Sequence, residues 1–284
     1  MRKRLPTIIL AIIFLIGAGI FAYPTVSEQW NRLHQSRAIA TYQEAVDDMT
    51  EEDYAAAWEA AEAYNAEIEE NTFNHDAFSQ EEENLRGTEY WSVLNIGGSG
   101  VMGYIYIPKG NIRLPIYHGT SDAVLQVGAG HMYGTNLPIG GEGTHCVIAG
   151  HRGLPSARLF TDIDQLEIGD VFYIHVLDRV LTYEVDQISD MVDKDDTDTL
   201  TDLMQQVDGE DYVTLFTCTP YGINSHRLLV RGHRIENPEE TALTDSDPEE
   251  SVPVVPFVVA ALILLLVLIL ILVRHFRKKQ ENKK

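Results

Sequence analysis

Positive charge is scarce in this chain of 284 residues, which has 21 Lys and Arg against 43 Asp and Glu. Nine of the basic residues lie at positions 2–4 and 274–284, so the stretch between them has 12 basic and 42 acidic residues and a charge near −30. A nucleic-acid partner requires basic side chains to neutralise its phosphates. The composition therefore argues against nucleic-acid binding and is typical of an acidic, well-solvated surface.

Apolar runs long enough to span a membrane occur only twice, at residues 7–23 and 252–273. Basic residues precede the first run and follow the second, and positive flanks stay in the cytoplasm. This pattern predicts two membrane helices, with both tails inside the cell and residues 24–251 outside. The first run has a second interpretation as a cleaved signal peptide, because Ala18, Gly19 and Ala22 are small enough for a processing site. Either way, the central domain faces outward.

Cysteine is also scarce, since the chain has only Cys146 and Cys218. Two cysteines allow one bridge, which is not a disulfide framework. An unbridged thiol kept outside the cell is at risk of oxidation, so its presence favours a chemical role.

Proline and glycine are absent from residues 27–71, which are rich in Ala, Glu and Gln. This composition predicts helix. Thr50 with Asp53 three positions later resembles a capping box, so a second helix is expected to begin there. We interpret this helical lead as a spacer that packs on its own domain.

From residue 101 the pattern changes to short β-rich runs bounded by Gly, Pro and Asp. The runs are residues 101–107, 112–118, 144–150, 171–177, 181–188, 212–218 and 228–235. Seven or eight strands in under 140 residues predict a mainly β fold, a closed barrel, with short connecting helices at residues 121–127 and 157–163. The predicted divisions are a basic tail with the first anchor or signal (1–24), the helical lead (25–94), the barrel (95–236), an acidic linker (237–251) and the second anchor with its basic tail (252–284).

Three residues in the barrel region have the chemistry of a cysteine active site. Cys218 ends an apolar run and precedes a turn-rich loop, and Arg227 lies nine positions later at the start of the next run. A thiol needs a nearby cation or base to form the thiolate. His151 also ends a β-rich run, and an imidazole can hold that thiolate and later protonate a leaving amine. We predict that these three side chains meet.

Other residues in these runs have structural interpretations. Cys146 lies in an apolar strand, where cysteine behaves as a small buried hydrophobe. His145, Cys146 and His151 are unsuitable as zinc ligands, because adjacent strand residues point to opposite faces, and no metal site is predicted. Thr217 either lines a substrate groove or packs its methyl group in the strand.

Two long segments match a known family. Residues 214–232, TLFTCTPYGINSHRLLVRG, resemble the active-site segment of sortases, with T-L-x-T-C and an arginine nine residues on. Residues 141–170, GEGTHCVIAGHRGLPSARLFTDIDQLEIGD, resemble the histidine segment of that family. The similarity extends from about residue 95 to residue 235 and includes SRAIATYQEAV in the helical lead. The motif NxHRLLVRG and the two anchors resemble those of class C, the pilin-polymerising sortases.

The resemblance implies a reaction. Cys218 would cleave an LPxTG-like sorting signal between Thr and Gly as a thioacyl enzyme, and a lysine amine of another pilin subunit would accept the acyl group. His151 would move the proton, Arg227 would stabilise the oxyanion, and no cofactor is needed. The alternatives are a housekeeping sortase that anchors proteins to cell-wall peptide stems, a thiol hydrolase, and a non-enzymatic surface adhesin or scaffold.

The resemblance also implies a lid over the cysteine. Residues 75–85, HDAFSQEEENL, occupy the place of the class C lid, with Asp76 expected to pair with Arg227 and Phe78 to cover Cys218. The sequence departs from the Asp-Pro-aromatic pattern at Ala77, and the missing proline predicts a looser lid.

Overall fold

A computed structural model describes residues 5–68, Phe78 and residues 85–238, with side chains from residue 12 onward. Asp76, the first basic tail, most of the acidic linker and the second apolar run lie outside the described residues. The chain divides into two compact units, and the boundary falls after Asn31.

The first unit contains the beginning of a long helix, α1 (Leu5–Asp47), which includes Pro24. The apolar side chains of this part are exposed, among them Ile20 (70%) and Phe21 (88%). Within the described part of the chain, α1 is the one helix long and apolar enough to cross a membrane, a test that a signal sequence also passes. Exposed apolar side chains on an unburied helix are what a lipid environment would cover.

The second unit is built on a closed barrel of eight strands. The strands are β1 (Val101–Ile107), β2 (Ile112–His118), β3 (Ala129–His131), β4 (Thr144–Ala149), β5 (Val171–Val176), β6 (Arg179–Asp193), β7 (Asp211–Thr219) and β8 (His226–Ile235). They follow one another around the barrel in the order β1-β2-β3-β4-β7-β8-β6-β5, and β5 closes on β1. The predicted mainly β, closed barrel is confirmed. Its interior holds the main apolar core, including Ile105, Phe172 and Leu215.

The short elements agree less well with the predictions. The remaining helices are α2 (Glu51–Ala66), α3 (Glu89–Ser92), α4 (Asp122–Leu125) and α5 (Thr197–Leu203). The helix predicted at residues 121–127 is α4, but the one predicted at residues 157–163 is wrong. That segment forms turns, with a 3-10 helix only at Ile163–Gln165. Ala157, Phe160 and Ile163 are buried at helix-like spacing, but the positive φ of Leu159 (44°) breaks any helix there.

The helical lead packs against the barrel within the second unit. The Tyr42 hydroxyl of α1 donates to the Met102 carbonyl (3.1 Å) and accepts from the Leu177 N–H (2.8 Å). In α2, the Trp58 indole N–H donates to Asp178 (2.8 Å). The predicted capping box of Thr50 and Asp53 is present at the start of α2. These contacts confirm a helical lead that packs on its own domain.

Three buried histidines join the connecting segments to the barrel through both ring nitrogens. His118 contacts the carbonyls of Gly100 (2.9 Å) and Val93 (2.8 Å). His131 contacts the Tyr90 hydroxyl (2.9 Å) and the Asn136 carbonyl (2.8 Å). His145 contacts the Gln205 carbonyl (2.8 Å) and the Thr214 hydroxyl (2.7 Å). Burial lowers the pKa of all three, to about 4 for His131 and His145. His131 and His145 each have one hydroxyl and one carbonyl partner and are therefore neutral structural side chains at pH 7.

Candidate active site

Cys218 and Arg227 face each other across the hairpin of β7 and β8. The two strands are antiparallel, and their register pairs Cys218 directly with Arg227. Side chains of directly paired residues lie on the same face of a sheet. Both residues are almost fully buried, with exposures of 4% and 3%. The thiol and the guanidinium are therefore neighbours at the end of one hairpin.

His151 reaches this place through the parallel pair of β4 and β7. Ala149 pairs with Phe216, and the Gly150 N–H continues the ladder to the Phe216 carbonyl (3.0 Å). His151 and Cys218 each lie two residues beyond that last pair. Because parallel strands run in the same direction, both residues emerge at the same end of the barrel. Topology thus brings together two residues that are 67 positions apart in the sequence.

Phe78 lies over both the imidazole and the guanidinium. Its ring stacks on His151 at 5.1 Å between centroids, and Arg227 Cζ is 5.2 Å from the Phe78 centroid. The ring also stacks on Phe216 at 5.8 Å. Phe78 is partly buried in the small apolar cluster that includes Leu125, Phe216 and Leu229. Its position is what a cover over the site requires; Asp76, the other predicted lid residue, lies outside the described residues.

Arg227 is held in place by its backbone neighbours. Nη1 donates to the carbonyls of Asn224 (3.1 Å) and His226 (2.9 Å). A guanidinium has five N–H donors in a rigid fork, and the two bonds from Nη1 fix the plane of that fork. The cation is therefore oriented before any substrate arrives.

His151 titrates in a half-buried setting. Burial lowers the pKa of His151 from its usual range, and the negative charge of Asp122 on α4 opposes that shift. The imidazole is therefore mainly neutral at pH 7. A neutral imidazole can accept the thiol proton, which is the role of a general base.

Thr217 is fully buried, and its hydroxyl donates to the Gly150 carbonyl (2.6 Å). This bond ties the residue before Cys218 to the residue before His151. Contact of Thr217 with a substrate stays a prediction, because the structure uses the hydroxyl for the link between strands.

Three further residues at this end have no signal in the sequence: Arg152, Thr219 and Asp164. Arg152 follows His151, and its Nη1 donates to the hydroxyl of Thr219 (3.2 Å), the residue after Cys218. Arg152 Nη2 also forms an ion pair with Asp164. Nothing in the sequence distinguishes Arg152 from Arg158, six positions on, which pairs with Asp162 at the surface.

Cys146 lies away from this site in the main core. It is fully buried among apolar side chains, and burial raises the pKa of its thiol well above the usual range. Neither cysteine forms a disulfide. Within the described ranges, no group of three His, Cys, Asp or Glu side chains is arranged to hold a metal ion.

Comparison with known proteins places these features in a family. The sequence-family model of the sortase domain matches residues 105–235 of this chain. A crystal structure of sortase C1 from Streptococcus agalactiae is 48% identical, with a TM-score of 0.64 over 71% of this chain and 100% of that chain. A crystal structure of sortase C from Streptococcus pneumoniae is 43% identical, with a TM-score of 0.63 over 71% of this chain and 97% of that chain.

A curated relative gives a more distant match to the same family. Sortase A of Bacillus anthracis is 30% identical over 132 residues, 46% of this chain and 59% of that protein. This chain thus covers less than two thirds of that relative's length. The sortase C structures, in contrast, are covered almost completely at more than 40% identity. The chain belongs to the sortase family of cysteine transpeptidases, in class C.

Proposed function

We propose that this protein is an extracytoplasmic transpeptidase that links pilin subunits. It would cleave an LPxTG-like sorting signal between Thr and Gly and transfer the new acyl group to a lysine amine of another subunit. The observation that supports this proposal most directly is the pairing of Cys218 with Arg227 beside His151 at one barrel end. The S. pneumoniae sortase C to which the chain is similar is described in terms of pilin substrate specificity.

In the first half of the reaction, the Cys218 thiol gives its proton to His151, and the sulfur attacks the Thr carbonyl carbon. Arg227 stabilises the oxyanion that develops on the carbonyl oxygen. The C–N bond to Gly then breaks, and His151 gives its proton to the departing amine. The product is a thioester between Cys218 and the sorting-signal Thr.

In the second half, a lysine amine attacks the thioester carbon and loses a proton to His151. The C–S bond breaks, the sulfur recovers the proton, and an amide bond joins the two subunits. Each step needs only the three side chains and the two substrates, so the proton balance closes without a cofactor.

The lid is part of this proposal. Phe78 occupies the space above His151 and Arg227 that a peptide would have to enter. We therefore propose that the ring covers Cys218 at rest and moves aside when a sorting signal binds. Asp76 would hold the closed lid through Arg227.

The proposed location combines the two apolar runs with the exposed N-terminal helix. The part of α1 in the first unit is long and apolar enough to anchor the protein. We propose that the second apolar run is a second anchor, that the catalytic domain lies outside the cell, and that both termini lie in the cytoplasm.

The proposal is tested by mass spectrometry of the full-length protein in detergent after mixing with an LPxTG-type peptide. We expect a covalent adduct on Cys218 in the wild type and none in Cys218→Ala, because the nucleophile is lost. Cys146→Ala is the matched control and should still form the adduct. An adduct in Cys218→Ala, or none in the wild type, would contradict the proposal and favour the adhesin or scaffold alternative.

Three acceptors then separate the remaining alternatives. A lysine-containing pilin peptide should receive the acyl group in preference to a cell-wall stem peptide or water. Preference for the stem peptide would indicate a housekeeping sortase. Release of free acid at an unchanged rate with or without amines would indicate a thiol hydrolase.

A further inference from the structure

The residues on either side of the proposed nucleophile are tied to the residues on either side of the histidine. Thr217, before Cys218, donates to the carbonyl of Gly150, before His151. Thr219, after Cys218, accepts from the guanidinium of Arg152, after His151. The two side-chain links thus enclose the Cys218–His151 pair.

The inner link and the outer link differ in what holds them. Thr217 lies within the β4–β7 ladder, and its bond to Gly150 adds to the regular backbone pairing there. Beyond Gly150 the chain leaves the sheet and enters a loop, where the ladder no longer fixes its path. There the Phe160 N–H donates to the His151 carbonyl (3.1 Å), and Arg152 is the side chain of this loop that links it to the end of β7.

Arg152 is anchored from a third element. One arm of its guanidinium donates to Thr219, and the other forms an ion pair with Asp164 in the 3-10 helix Ile163–Gln165. The side chain is only 11% exposed, whereas that of Asp164 is 41% exposed. The buried Nε of Arg152 has no hydrogen-bond acceptor among the described residues. Burying this N–H is unfavourable, and the bonds of Arg152 to Thr219 and Asp164 offset that cost.

We infer that Arg152 is a positioning residue for the transpeptidation, fixing the separation between the His151 imidazole and the Cys218 sulfur through Thr219. This inference rests on the proposed function and assigns a role within it. Proton transfer between imidazole and thiol requires hydrogen-bond distance, and a misplacement of about 1 Å can cost about 100-fold in rate. The planar fork of arginine can donate in two directions at once, whereas the ammonium of lysine acts as a point charge.

The first test is the kinetics of Arg152→Lys in the full-length protein in detergent. The lysine keeps the charge beside Asp164 but loses the fork, so we expect kcat to fall by about 10- to 100-fold while KM for the sorting peptide changes little. Arg158→Lys is the matched control, because it changes an exposed arginine of the same loop that also pairs with an aspartate. Equal kcat in the two variants would overturn the inference.

Thr219→Val tests the same link from its other end without changing a charge. Valine keeps the shape of threonine and removes the hydroxyl, so kcat should fall in the same direction as in Arg152→Lys. The double variant should be no slower than the slower single variant, because both remove one link. Independent, multiplicative losses would overturn the inference.

A chemical readout separates positioning from loss of structure. Alkylation of Cys218 by iodoacetamide should slow in Arg152→Lys, because the imidazole no longer accepts the thiol proton in the right geometry. In a His151→Ala background the same substitution should have no further effect, since the residue it positions is gone. An equal slowing in both backgrounds would overturn the positioning role. If the wild type is alkylated normally but forms no thioacyl adduct, the proposed function fails instead.

Discussion

The two ends of the β4–β7 pair contain the same three residue types in different arrangements. The amino end has His145, Cys146 and, on the adjoining strand β8, Arg231 opposite Thr214. The carboxyl end has His151, Cys218 and Arg227. Both cysteines are buried, at 2% and 4% exposure, so exposure alone does not distinguish them.

The arrangement of the neighbours does distinguish them. At the amino end, His145 and Cys146 are adjacent on one strand and therefore point to opposite faces. The Arg231 guanidinium pairs with Asp186 through two bonds (3.0 and 2.7 Å), and the sulfur of Cys146 remains in the apolar core. At the carboxyl end, the three groups come from three strand ends and converge. The two ends therefore differ in which strand ends meet and not in composition.

The largest expected difference is between the two arginines. Arg227→Lys should lower kcat by about 100- to 1,000-fold, because the proposed preorganised donor for the oxyanion is lost. Arg231→Lys, on the same strand, should leave kcat near the wild-type value. Arg231 forms an ion pair with Asp186, away from Cys218 and His151. Steady-state kinetics with a sorting peptide measure both. Equal losses would remove the distinction between the two ends.

The core histidines should make the fold sensitive to acid. The pKa of His131 and His145 is about 4 in the folded protein, against about 6.5 for an unperturbed histidine. Because the folded pKa is lowered, their contribution is fully present above pH 6.5 and is lost as the pH falls toward 4. At pH 5, each of these two histidines should lower the free energy of unfolding by about 2 kcal/mol relative to neutral pH.

Urea denaturation of the full-length protein at pH 7.5 and 5, followed by tryptophan fluorescence, tests this expectation. His145→Gln should reduce the difference between the two pH values, because one titrating group is removed. Repeating both measurements at high salt separates this effect from repulsion between surface charges, which salt screens. A variant with the same pH dependence as the wild type would contradict the assignment.

Cys146→Ser should reduce stability and leave the chemistry intact. A hydroxyl placed in the apolar core costs about 1–3 kcal/mol when it finds no acceptor. Cys146→Ala is the control for lost volume and should cost less, about 1 kcal/mol. Thioacyl formation per folded molecule should equal that of the wild type in both variants. A loss of adduct in stably folded Cys146→Ser would place Cys146 in the reaction.

The smallest expected effect concerns the cover at the carboxyl end. Phe78→Ala removes ring contacts with His151 and Arg227 worth about 1 kcal/mol, so alkylation of Cys218 should become about fivefold faster. Phe78→Leu keeps an apolar side chain without the ring, so its alkylation rate should lie between those of the wild type and Phe78→Ala. Unchanged alkylation in Phe78→Ala would exclude the lid.

Local patterns predicted much of this structure. The seven β-rich runs became seven strands of the barrel, and the capping box at Thr50 marks a real helix start. The pairing of Cys218 with Arg227 was predictable because the two residues flank one short loop. These features depend on residues close together in the chain.

Other features, which depend on long-range contacts, have no signal in the sequence. β3 has only three residues, Ala129–His131, too few for a pattern, and it exists because β2 and β4 lie on either side of it. The false helix at residues 157–163 arose because irregular turns can bury side chains at helical spacing. Arg152 is indistinguishable from a surface arginine until β4 and β7 are paired, since its partners Thr219 and Asp164 come from other segments.

Closure of the barrel limits how a peptide can be recognised. Each of the eight strands already has a neighbour on both sides. Many peptide-binding domains capture an extended chain by adding it to an exposed sheet edge, where the main chain supplies the affinity. That mode is disfavoured wherever a strand already pairs on both sides. We expect side chains and loops at the rim of the barrel to bind the proposed sorting signal instead. The selectivity of the enzyme for that signal should then change with the sequence of the loops while the strands stay the same.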